Sequence, residues 1–104
     1  MNNNQFNNSE EKEEKIPPVH PGRILKNRFF DKRNLSLEEV AKDILVPLSR
    51  LEDLIENRIA LDNDMAYRLS FYFEIEPSFF LKLQQFYDLD IIRYQGNKNE
   101  YLKE

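Results

Sequence analysis

Apolar side chains recur at helical spacing along most of the chain. Leu37, Val40, Ala41 and Ile44 stand at i, i+3, i+4 and i+7, and Leu51, Leu54 and Ile55 resume the pattern a few residues later. Two short amphipathic helices joined so tightly must cross at a steep angle, which predicts a helix-turn-helix. In that geometry the second helix can enter the DNA major groove while the first crosses the backbone. Ser36 and Glu39 form an S-x-x-E capping box for the first of these helices, and Pro47 opens the second. Pro21 suits the first turn of an earlier helix running to about Asp31, with Ile24, Leu25 and Phe29 on one side. Asp62 can cap a fourth helix, on which Met65, Ala66, Leu69 and Phe73 share a face, and Pro77 starts a fifth reaching about Tyr94. The pattern predicts an all-α, five-helix bundle.

Outside these periodic segments the chain changes character. Residues 1–15 are rich in Asn, Glu and Lys, and the three prolines in Ile16-Pro17-Pro18-Val19-His20-Pro21 forbid helix. The expected organisation is a disordered N-terminal tail over 1–18, a helix-turn-helix domain over 19–95 and a frayed tail over 96–104. The fifth helix carries more apolar surface than so small a bundle can absorb. Phe80, Leu83, Tyr87, Ile91 and Tyr94 form one stripe, with Phe79, Phe86, Leu89 and Ile92 around it. A wide core-facing helix is one explanation. The other is a homodimer joined through Phe79, Phe80, Leu83, Phe86 and Tyr87, since exposed aromatic surface is costly unless paired.

Composition narrows the chemistry. A chain of 104 residues with 40% hydrophobic residues, eight Phe and five Tyr can build one real core. It has no cysteine, so no disulfide or thiolate metal site is possible, which fits a cytoplasmic protein. The polar start lacks the apolar region of a secretory signal, and no run is long enough to span a membrane. His20 is the only histidine and reads as a residue at the start of a helix. The acidic clusters at 10–14 and 52–56 read as solvated, and no nucleophile–base set or phosphate loop is present. No enzyme activity, catalytic residue, metal or cofactor is therefore expected. The net charge of −4 weakens a DNA-binding reading and suits a basic partner.

Four stretches, VHPGRILKNRFF (19–30), SLEEVAK (36–42), MAYRLSFYF (65–73) and PSFFLKLQQFYDL (77–89), resemble the HigA-type antitoxins in order and spacing. These belong to the Xre, or lambda-repressor-like, helix-turn-helix group. The resemblance implies a small dimer that neutralises a cognate toxin, a RelE/HigB-like basic ribonuclease, and represses its own operon by binding palindromic operator DNA. Departures gather where DNA would be read. Leu37 stands where the family usually has Gln, Leu45 replaces the turn Gly, Pro47 replaces the Ser cap, and Leu48 occupies an often polar position. Glu52, Asp53 and Glu56 stand on the outward face, where they repel phosphate. The expected DNA-binding set is Ser49 and Arg50 at base edges or phosphate, with Ser36, Lys42, Asn57 and Arg58 on phosphates and Leu48 on the same surface. The departures motivate one alternative, a helix-turn-helix-derived protein-interaction module with weak or lost DNA binding; a second alternative, a stand-alone Xre-type repressor, has no support from the charge.

Overall fold

The computed structural model describes residues 17–98. Most of the expected N-terminal tail, and residues 99–104, therefore lie outside the described residues. Among the described residues the chain forms five helices and no strand. The first, α1, opens as an α-helical turn, Pro21–Ile24, and continues as a π-helical stretch, Leu25–Asp31. It is followed by α2 (Leu37–Ile44), α3 (Leu48–Ile55), α4 (Asn63–Phe73) and α5 (Pro77–Lys98). The five predicted helices are present, with two differences. The wider π turn brings Leu25 and Phe30 onto the same side, so Leu25, Phe29 and Phe30 are all buried. α5 continues past Tyr94 to Lys98, through Gly96, which does not adopt the left-handed conformation that ends many helices.

Each helix start has a local cause. The His20 imidazole Nδ1 accepts from the Gly22 amide at 2.9 Å, with Pro21 at the first helical position. Ser36 Oγ accepts from the Glu39 amide at 3.2 Å, and Asp62 Oδ1 from the Met65 amide at 2.9 Å. α3 begins at Pro47 with no side-chain cap. Gly22 is required by packing: a Cβ there would overlap the Leu54 carbonyl oxygen, so α1 rests directly on the backbone of α3.

The core joins Leu25, Phe29 and Phe30 of α1 to Val40 and Ile44 of α2, Leu51, Leu54 and Ile55 of α3, Met65 and Leu69 of α4, and Phe80 of α5. Among the described residues no polar side chain is buried. Phe80 is fully buried, with ring centroids 5.8 Å from Phe29 and 6.4 Å from Phe73. This corrects its expected place on a dimer face: the first turn of α5 inserts into an aromatic pocket made by α1 and α4. Leu83 is half-buried and packs on the same core.

Candidate nucleic-acid interface

α2 ends where Leu45 takes a left-handed backbone, with φ 61° and ψ 48°. For a leucine this conformation costs about 1–2 kcal/mol. It turns the chain sharply enough for the Val46 amide to reach the Ala41 carbonyl at 3.0 Å, and α3 starts two residues later. Arg68 of α4 supports the corner from outside. Its Nη1 donates to the Ile44 carbonyl at 2.8 Å and to that of Leu45 at 3.4 Å, satisfying the end of α2. Its Nε donates to Asp64 at 2.9 Å.

The same carboxylate ties down α3. Arg50 pairs with Asp64 at 3.0 Å and with Asp62 at 3.3 Å. Hydrogen bonds from Arg68 and then Arg50 hold the Asp64 carboxyl below the usual carboxylate range. One web of two arginines and two aspartates thus fixes the end of α2, the start of α3 and the start of α4. On the opposite side, Gln84 of α5 accepts from the Leu61 amide at 2.8 Å and anchors the loop between α3 and α4.

The expected DNA-binding residues fall into distinct groups. Ser49 and Lys42 are exposed, and Lys42 has no ion pair among the described residues. Asn57 is exposed and left-handed, with φ 66°. The Ser36 hydroxyl caps α2 from an exposed position and retains its own proton to donate. Arg50 differs from the expectation of a free reader, because Asp62 and Asp64 engage its guanidinium. Arg58 is likewise held by Asp53 at 2.9 Å. Leu48 is half-buried against the core, as is Leu37, so neither is a fully outward leucine. Glu52 on α3 and Glu56 at its C-cap remain exposed.

At the start of α1, Tyr87 packs edge-on against His20, with ring centroids 5.0 Å apart. Partial burial lowers the His20 pKa, opposed by a hydrogen bond with the Ile59 backbone and by the nearby Asp88 charge. Along α5 an apolar strip stays in solvent: Phe79, Phe86, Leu89 and Ile92, the last 64% exposed. No helix among the described residues is long and apolar enough to cross a membrane.

Sequence reasoning gave no role to Gln84. The Asp62–Asp64–Arg50 web also escaped it, because its partners are twelve or more residues apart along the chain. The acid–x–acid spacing of Asp62 and Asp64 after α3 was the one available signal.

No protein-family model matches the chain. It is 32% identical over 74 residues to virulence-associated protein I of Dichelobacter nodosus, covering 71% of this chain and 68% of that protein. It spans 64–68% of the length of the curated relatives it matches. The structure of Pseudomonas aeruginosa antitoxin HigA with the higBA promoter superposes with a TM-score of 0.72 at 30% identity, covering 78% of this chain and 88% of that one. Antitoxin GraA in complex with its operator superposes at 0.75 and 28% identity, covering 90% and 94%. The chain belongs to the HigA-type antitoxin family of Xre helix-turn-helix proteins.

Proposed function

We propose that this protein is an operator-binding antitoxin, a homodimer that represses its own operon and neutralises a RelE/HigB-like ribonuclease toxin. One observation carries the reading. The α2–α3 corner, braced by Arg68 and Arg50, has the geometry of a DNA reader, within a fold whose matched relatives include a HigA with its promoter and GraA with its operator. In such docking the first turn of α3 faces base edges and α2 spans the backbone. Ser49 and Arg50 occupy that turn. Arg50 can exchange its aspartates for guanine or phosphate, because exposed ion pairs are worth only about 0–1 kcal/mol. Ser36, Lys42, Asn57 and Arg58 serve phosphates. A second subunit pairs through the α5 strip, with Phe79 and Phe86 central and Leu83 and Tyr87 at its edge, setting the two α3 helices about one duplex turn apart. The net charge of −4 favours fast association with a basic toxin.

The test is a mobility-shift titration against the DNA upstream of the gene, at two salt concentrations. The expected result is a shift that weakens with salt, with Arg50→Ala lowering the salt slope by about one. No shift with toxin present or absent removes the repressor function. Light scattering checks the assembly: a dimer for the wild type and a monomer for Phe86→Glu.

A second reading is favoured by the acidic outward face of α3 and by the engagement of Arg50 and Arg58. It is a protein-interaction module that has lost DNA binding, distinguished by toxin capture without any operator shift. A shift without toxin capture identifies a stand-alone repressor.

A further inference from the structure

A second apolar surface lies away from α5. Leu45, 80% exposed, projects from the α2–α3 turn, and Tyr67 and Phe71, 57% and 69% exposed, stand one turn apart on α4. Their rings meet edge to face with centroids 5.1 Å apart. All three line one open cavity of about 630 Å³, with Asp43, Asp64 and Arg68 also in its wall. None of the three apolar residues belongs to the core.

The fold gains nothing from a leucine at position 45. The left-handed backbone there is one that glycine or asparagine adopts more readily, and the side chain remains in water. Both effects act against the folded state, so the side chain does not stabilise the domain. α4 shows the same contradiction. Met65, Ala66 and Leu69 already supply its buried face, and the opposite face of such a helix is ordinarily polar. Two aromatics beside an outward leucine, rimmed by charge, have the composition of a protein-binding patch.

Charge indicates the class of partner. Arg50 and Arg68 are engaged by Asp62 and Asp64. Asp43 is left as an exposed carboxylate at the cavity wall, with no ion pair among the described residues, on a chain of net charge −4. We propose that this face docks a basic protein. An apolar side chain of the partner fills the cavity between Leu45 and Phe71, and a lysine or arginine of the partner pairs with Asp43. The identification of that partner as the toxin rests on the antitoxin reading above. The face uses none of the residues assigned to DNA or to the dimer.

The experiment measures the affinity of the purified full chain for the product of the adjacent open reading frame, by calorimetry. Variants are Leu45→Gly, Phe71→Ser and Asp43→Lys, each compared with the wild-type chain. Leu45→Gly relieves the left-handed strain, so its fold is retained, and circular dichroism verifies this. Leu45→Gly and Phe71→Ser are each expected to weaken binding about tenfold or more. Asp43→Lys weakens it and flattens its salt dependence. Undiminished binding by Leu45→Gly and Phe71→Ser overturns the docking face and leaves the antitoxin reading standing. A wild-type chain that binds no adjacent product removes that reading and the proposal together. Self-association lost in Phe71→Ser, with partner binding intact, assigns the face to contacts between copies and also overturns the proposal.

Discussion

Replacing Gly22 with alanine sets two energies of opposite sign against each other. In an unobstructed helix the change is favourable, by about 0.5–1 kcal/mol. Here the new methyl group would fall on the Leu54 carbonyl oxygen and lie 2.8 Å from Asn57 Oδ1. That carbonyl cannot swing aside cheaply, because it belongs to α3 and accepts from the Asn57 amide at 3.0 Å. α1 must therefore withdraw from α3, disturbing the His20 cap and the packing of fully buried Leu25. Forced overpacking of this kind costs about 1–3 kcal/mol and sometimes more. Because the obstacle is backbone and not a flexible side chain, the upper end of that range applies, and after the propensity gain the net loss is about 2 kcal/mol, against a total of roughly 4–12 kcal/mol for a domain of this size. At about 4–8 °C per kcal/mol the Tm should fall by roughly 10 °C, followed by far-UV circular dichroism. Urea unfolding should show a lower midpoint at an unchanged slope. A Tm equal to or above that of the wild type would refute the close approach of α1 and α3, with helix propensity then the larger effect.

Three further perturbations probe the cap and the corner. Leu45→Gly should raise stability by about 1 kcal/mol in the same urea assay, and a loss would contradict the left-handed turn. Arg68→Met leaves the last carbonyls of α2 without their cation and should cost about 1–2 kcal/mol, with a Tm drop as the readout. His20 is held neutral in the fold, its pKa lowered from 6.5 chiefly by burial, so the unfolded chain takes up the proton first as pH falls. Its contribution is complete above pH 6.5 and is lost as pH falls toward the depressed folded value. His20→Asn, which keeps a side-chain acceptor for the cap but does not titrate, should flatten the stability profile between pH 7 and 5 (roughly the histidine range); an unchanged slope would contradict the assignment.

The parts of this fold legible in the sequence were those decided within one or two helical turns. Ser36 and Asp62 cap because a short oxygen-bearing side chain can reach an amide three residues on, wherever the helix sits. Pro21, Pro47 and Pro77 mark helix starts because a missing amide costs nothing there. What escaped was decided across the chain. Phe79 and Phe80 both lie on apolar stripes of α5, and helical period alone does not say which stripe meets the core. The pocket formed by Phe29 and Phe73 buries Phe80 and leaves Phe79 at the rim. The π segment had a similar origin, since accommodating neighbouring phenylalanines depends on what stands opposite them.

The arginines of the corner illustrate why site residues are harder to read than helices. By position Arg50 looks like a free reader at the start of α3, yet Asp62 and Asp64 approach it from the start of α4. The pairing removes much of the positive field that would hold any duplex through phosphates alone, and exposed Glu52 and Glu56 act in the same direction. Such a surface is expected to bind non-specific DNA weakly. Because its ion pairs are exposed, they can be given up where a well-placed guanine or phosphate replaces the aspartates. On the operator-binding reading, masking therefore lowers background affinity more than it lowers affinity for a matching site, and the web that braces the turn also sharpens discrimination.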